Sequence, residues 1–219
     1  MKSELPFIDL KAQQKKIISR LERAVKRVFD HGKFIMGPEV GELEQALADF
    51  VDVEHCVAVS SGTDALVLAL MSLEIGPGDE VITTPFSFVA TAEAIALLGA
   101  TPVFVDIDPE TLDIDPRCVE PVINRSTKAI LPVSIFGQCA DIDTLMEIAG
   151  SQGIPVIEDA AQSFGAIYQG RKSGTLGTVG CTSFFPSKNL GAYGDGGAIF
   201  TNNKKFYKIL KKIRNHGQI

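Results

Sequence analysis

From Cys56 to Asp159, short apolar runs alternate with amphipathic stretches of helical spacing. The run CVAVS (56–60) precedes a helical pattern over 63–74, and VITT (81–84) precedes one over 90–98. VFVD (103–106) leads through a Pro-marked loop to a short helix near Val119. AILPV (129–133), a helix over 142–151 and PVIED (155–159) continue the series. Near-continuous apolar strands separated by helices predict a mainly parallel sheet with helices on both faces. Two further runs, 183–185 and 198–200, are expected as strands six and seven. Their hairpin-like spacing predicts one antiparallel strand. Upstream, Ile17, Ile18, Leu21, Val25, Val28 and Phe29 recur at helical spacing within 9–31. FIMGP (34–38) breaks that helix, and a second follows over 39–50. The whole chain, 1–219, reads as one α/β domain, whose ligands collect at the carboxyl ends of its strands.

The net charge of −6 argues against a nucleic-acid or anionic-membrane surface, since both need a basic face. Lys204, Lys205, Lys208, Lys211, Lys212 and Arg214 read instead as the solvated side of a last helix. The four cysteines (Cys56, Cys118, Cys139, Cys181) form no CxxC pair. That spacing predicts reduced thiols, with neither a disulfide framework nor a zinc site. The three histidines are scattered and add no metal constellation. No run is apolar enough to span a bilayer and no leader pattern opens the chain, so a cytoplasmic location is expected.

Lys188 is the candidate reactive group. It follows FFP (184–186) and precedes a segment with glycines at 191, 194, 196 and 197. Such a loop lets backbone approach a ligand closely. A partly desolvated Lys loses its charge more readily, as a Schiff-base lysine must. The alternative is a surface Lys in a hairpin turn. SSGTDA (60–65) stands between a strand and its helix, where free amides suit a phosphate; taken alone, the segment is better read as an ordinary N-cap by Ser61 or Thr63. Asp159 ends a strand, and either caps the next helix or pairs with a ring nitrogen. Gln162 is within reach of the same mouth. Phe88 is a candidate to stack on a flat ring, and Phe86 is expected in the core. GAIYQG (165–170) has P-loop glycine spacing but Arg171 where a Lys is needed, and reads as a turn. Together these weak signals specify a flat, phosphorylated, pyridinium-bearing aldehyde: pyridoxal phosphate.

The segments SSGTDAL, PFSFVATAEAI, VFVDIDPETLDIDP, PVSIFGQCADID, VIEDAAQSFGA and TSFFPSKNLGAYGDGGAI resemble the DegT/DnrJ/EryC1/StrS sugar aminotransferases in order and spacing. FIDLKAQQ and FIMGPEV at the start do too. The resemblance implies an aspartate-aminotransferase-like large domain of fold type I, with a seven-stranded, mostly parallel sheet. It implies Lys188 as Schiff-base lysine and proton shuttle, Asp159 on the pyridine nitrogen and Gln162 near the phenolic oxygen. Gly62, Thr63 and Ser183 would hold the phosphate, and Phe88 would stack on the ring. It further implies a homodimer with phosphate contacts from the partner subunit. The implied reaction is amino transfer, with glutamate as donor, to a 3-keto nucleotide sugar of the 2-acetamido-glucuronate type, in O-antigen or other surface-polysaccharide synthesis. Members of the family run on into a smaller C-terminal domain, so residues 1–219 correspond to the cofactor-binding large domain. A non-catalytic cofactor-binding domain, a 4-keto-sugar aminotransferase of the same family and a Rossmann-type nucleotide binder are the alternatives.

Overall fold

The structure is a computed structural model and describes residues 8–218. Phe7, at the head of the FIDLKAQQ segment, lies outside the described residues. The chain divides into two compact units, up to Leu43 and from Glu44 onward.

In the first unit, α1 (Leu10–His31) is capped by Asp9, whose side chain accepts from the Ala12 amide at 2.9 Å. It ends at Gly32, in the left-handed conformation that glycine adopts without strain. Glu39, at the start of α2 (Pro38–Val51), receives Arg27 at 2.8 Å and His31 at 3.1 Å. No residue of α1 is buried, and Val25 and Phe29 on the predicted stripe are exposed.

The second unit carries β1 (His55–Val59), α3 (Gly62–Ser72), β2 (Glu80–Thr83), α4 (Ala90–Leu97) and β3 (Thr101–Phe104). Then come α5 (Pro116–Val119), β4 (Thr127–Ile130), α6 (Ile142–Gln152), β5 (Ile157–Asp159), β6 (Ile167–Tyr168) and β7 (Arg171–Lys172). β8 (Val179–Ser183), β9 (Gly197–Thr201) and α7 (Lys204–Arg214) complete it. Continuous ladders form a four-stranded sheet, β1-β9-β8-β5, and a three-stranded sheet, β3-β2-β4. β2 runs parallel to β3 and β4, and β5 parallel to β8. β9 is antiparallel to both neighbours, the one reversed strand that the sequence pattern predicts. Isolated parallel bridges, Ile130–Val156 and Val133–Asp159, lie between the two ladders. Pro132 and Pro155 stand in that gap; each accepts a bond through its carbonyl but has no N–H to give, so the ladder is interrupted.

Successive residues of a strand point to opposite faces, and the core divides accordingly. Val81, Ala129 and Ile157 join one cluster with Leu66, Leu70, Ile95 and Leu210, from α3, α4 and α7. Ile82, Ile130 and Val156 join another with Val119, Ile142 and Leu145, from α5 and α6. Each such fully buried aliphatic side chain contributes roughly 1.5–3 kcal/mol. Both faces are therefore helix-covered.

Two local expectations are corrected, and a third, the turn, is refined. The strand expected over 183–185 lies upstream, at Val179–Ser183, where Gly180, Cys181, Thr182 and Ser183 are small and give no apolar run to read. A Cβ on Gly180 would run into the Gly174 carbonyl. The turn at 165–170 is part of a hairpin, β6–β7, with Gln169 and Gly170 both at positive φ as its tight loop requires. Phe86 is 42% exposed rather than core, and meets Phe136 at a ring separation of 6.0 Å. The cysteines are free as expected, and Cys56, Cys139 and Cys181 are buried. No helix is long and apolar enough to cross a membrane, and no metal-binding cluster occurs among the described residues.

Asp113 is 3% exposed, and its Oδ2 has no hydrogen-bond partner. Burial pushes its carboxyl up to about 7. A carboxyl raised on folding stabilises fully below its unfolded pKa, and that contribution is lost as pH rises through the folded value. Between pH 5 and pH 8 the expected loss is on the order of 2–3 kcal/mol. Asp113→Asn will remove that part of the slope; parallel urea midpoints for both proteins would refute the assignment.

Candidate active site

Asp159 is the last residue of β5, and Ser183 the last of the parallel neighbour β8. Their side chains open at the carboxyl ends of the strands, into a cavity of about 460 Å³. All seven residues singled out from the sequence line it: Gly62, Thr63, Phe88, Asp159, Gln162, Ser183 and Lys188. That volume accommodates a cofactor-sized ligand.

Helix α3 begins at Gly62 with Ser61 as its N-cap, the Ser61 hydroxyl accepting from the Asp64 amide at 2.9 Å. The capping and anion readings of SSGTDA coexist, because a cap satisfies one amide and leaves the first ones without intrahelical partners. Gly62 lies against β8: a Cβ there would sit 2.6 Å from the Ser183 Cβ. Only glycine lets the helix N-terminus come this close to the Ser183 hydroxyl, which itself accepts from the Phe185 amide at 3.2 Å. Free amides beside a hydroxyl suit a phosphate.

Asp159 is buried, its Oδ1 accepting from the Ala161 amide at 3.1 Å and its Oδ2 from the Thr91 hydroxyl at 2.9 Å. Burial raises its pKa, and the two hydrogen bonds and the Lys188 charge oppose that rise. Lys188 is half-buried; burial lowers its pKa, while attraction to Asp159 opposes the change. A cation arriving beside Asp159 offsets its desolvation, and a Lys with a lowered pKa more readily presents a free amine. The donor set thus fits pyridoxal phosphate: anion-binding amides, a buried acid for a ring nitrogen, and an amine for an aldehyde. Phe88, 69% exposed, offers its ring at the wall, and Gln162 lines the same mouth.

Sequence reading missed Ser87, Thr91, Phe185, Ser187 and Asp195, which also line the cavity. Thr91 was hidden because a hydroxyl near a helix start looks like local capping.

The DegT/DnrJ/EryC1/StrS aminotransferase family matches residues 15–219. The chain is 58% identical over 214 residues to a UDP-2-acetamido-2-deoxy-3-oxo-D-glucuronate aminotransferase of Pseudomonas aeruginosa, covering 98% of this chain and 60% of that protein. It superposes on the crystal structure of S. venezuelae DesV in complex with a ketimine intermediate with a TM-score of 0.95 and 43% identity, covering 98% of this chain and 58% of that one. Against NtdA of Bacillus subtilis with bound cofactor PMP the TM-score is 0.89 at 35% identity, covering 97% and 48%. The chain thus spans about 60% of the length of the Pseudomonas relative.

Proposed function

The chain belongs to the DegT/DnrJ/EryC1/StrS aminotransferase family, and on that premise we propose that it forms the cofactor site of a pyridoxal-phosphate-dependent nucleotide-sugar aminotransferase. The observation that carries the reading is the convergence of Lys188, Asp159 and the Gly62–Ser183 contact on one cavity. When bound, the cofactor supplies an electron sink for carbanion chemistry. The chain's own residues do the rest. Gly62, Thr63 and Ser183 anchor the phosphate. Asp159 holds a proton on the ring nitrogen, Gln162 donates near the phenolic oxygen, and Phe88 covers one ring face. Lys188 Nζ would hold the aldehyde carbon, and as a free amine it would take a proton from the amino donor's carbon and return it one position along.

The donor we propose is glutamate. The acceptor is a UDP-linked 3-keto-2-acetamido-glucuronate, on the strength of the reaction named for the Pseudomonas relative. O-antigen or another surface polysaccharide is the destination, and the cytoplasm the location, since nucleotide sugars are assembled there. We read the four- and three-stranded sheets as one seven-stranded sheet of fold type I, joined at the two bridges.

A homodimer belongs to the same proposal. Among the described residues lining the cavity, Lys188 alone is cationic, while a phosphate and a dicarboxylate donor both call for positive partners. A second copy would supply them, and the unburied α1 stripe is available to hold it.

The test is an absorbance spectrum with added pyridoxal phosphate, before and after borohydride, followed by peptide mapping. The expected result is a near-visible band trapped on Lys188, and conversion to the pyridoxamine form by glutamate. Trapping elsewhere would overturn the site; trapping without conversion would reduce this chain to a cofactor-binding domain.

A further inference from the structure

Each oxygen of the Asp159 carboxylate is held by a donor of its own. Thr91, 1% exposed in the first turn of α4, donates to Oδ2 at 2.9 Å. The Ala161 amide donates to Oδ1 at 3.1 Å, so each oxygen has its own donor and the carboxylate plane is fixed. Behind Thr91, the Ser87 hydroxyl lies 2.9 Å from the Thr91 hydroxyl. A hydroxyl has one proton to give. With Asp159 ionised, Thr91 gives its proton to the carboxylate, and Ser87 must be the donor to Thr91.

A threonine in a first helical turn ordinarily serves its own helix. Here Val89, the N-cap of α4, makes no side-chain cap, and the Thr91 hydroxyl reaches a residue 68 positions away. Ser87 and Thr91 are four residues apart, and both line the cavity.

We propose that Ser87 and Thr91 are positioning residues, a two-hydroxyl relay that orients Asp159 toward the ring nitrogen of the cofactor. The inference rests on the cofactor reading of the site given above. The relay has a defined polarity, Ser87 to Thr91 to Asp159, and a protonated Asp159 would reverse it without breaking a bond. Both charge states are thus satisfied, and the ionised one is favoured whenever a cation faces the carboxylate. The other charged or titratable groups around Asp159 are Lys188 from the loop after β8, Glu158 beside it on β5, and Cys181, its register partner on β8, while Asp195 lines the same cavity. Glu158 is bonded to Ser173, Gly174 and Leu176, and the Cys181 thiol donates to the Ala65 carbonyl. Neither competes with Thr91 for Asp159.

The experiment titrates the chain and its Thr91→Val, Thr91→Ser, Ser87→Ala and Asp159→Asn variants with pyridoxal phosphate. It reads Kd and the pH midpoint of the near-visible band, with thermal midpoints of the cofactor-free proteins alongside. Losing a hydrogen bond to a charged group weakens binding about tenfold, so Thr91→Val is expected to bind about tenfold less tightly. Its pH midpoint should rise by about one unit, because a less firmly protonated ring nitrogen repels the proton on the Lys188 nitrogen less. Ser87→Ala should show the same changes at roughly threefold and half a unit, as loss of one neutral hydrogen bond. Thr91→Ser keeps the hydroxyl and should match the unaltered chain, which a purely packing role would not. If Asp159→Asn impairs binding while Thr91→Val leaves Kd and midpoint unchanged, the relay is wrong and the cofactor reading stands. If the unaltered chain forms no borohydride-reducible link at Lys188, or Asp159→Asn binds normally, the cofactor reading falls and the relay with it. Should Thr91→Val fail to fold, Ser87→Ala decides: an unmoved midpoint overturns the proposal.

Discussion

Lys188→Ala will abolish the near-visible band and all borohydride-reducible attachment of pyridoxal phosphate, while leaving the chain folded. The loop carrying Lys188 is held by backbone and by other side chains. The Lys188 amide donates to the Phe185 carbonyl at 2.8 Å, Phe184 to Gly196 at 2.7 Å, and Ala192 to Phe184 at 2.7 Å. Asn189 reaches the Phe164 carbonyl at 3.2 Å. None of these bonds uses the Lys188 side chain, which is only half-buried, so the stability change should stay within about 1 kcal/mol. Chemically the loss is total, because no other amine lines the cavity among the described residues. In a protein of the relatives' full length that carries this site, amino transfer should fall by at least ~10³-fold, since both the proposed covalent anchor and the proposed proton carrier disappear. Reductive trapping on a different lysine would remove Lys188 from the centre of the site.

That Lys188 could be singled out from sequence as a candidate, and then lie on the cavity wall, follows from what surrounds it. A loop bounded by apolar segments and rich in glycine advertises itself, and so does an acid at the end of a strand. Strands β2 and β4 were legible for a related reason. Their alternate residues enter two separate cores, so Val81 and Ile82, or Ala129 and Ile130, are all apolar and the run is continuous. β8 was not. Its Gly180 is held to glycine by the Gly174 carbonyl, and with Cys181 and Thr182 beside it the strand carries no hydrophobic signature. The aromatic pair after it drew attention instead, although Phe184 leaves the ladder and Phe185 is exposed. Phe86 misled for the opposite reason: an aromatic beside a buried strand suggests a core residue, yet it lies at the surface against Phe136. The Ser87–Thr91–Asp159 contacts and the partners of Glu158 depend on which strand ends meet, which local pattern does not encode.

Glu158 and Asp159 are adjacent acids on one strand, pointing to opposite faces, and their substitutions should separate stability from ligand binding. Glu158 is fully buried and accepts from the Ser173 hydroxyl at 2.8 Å, the Gly174 amide at 2.8 Å and the Leu176 amide at 2.9 Å. Burial raises its pKa, and these three donors oppose the rise. Its carboxyl thereby ties residues 173–176 to β5 and keeps Leu176 in the core. Glu158→Leu strands the two amides, while Ser173 retains Ser163 at 2.6 Å; the expected cost is about 3–5 kcal/mol. Glu158→Gln keeps one acceptor oxygen for two of the donors but turns an NH₂ toward the third, for about 2 kcal/mol. Asp159→Asn is different. Its amide oxygen can still accept from Ala161, and its NH₂ can donate to Thr91, which then donates to Ser87. Every group remains satisfied, so the stability change should be about 1 kcal/mol or less, yet the cofactor nitrogen loses its anionic partner. Urea midpoints at pH 7 beside pyridoxal phosphate titrations should therefore rank the two sites in opposite orders. A folded, stable Glu158→Leu would show that the 173–176 segment is anchored by packing alone.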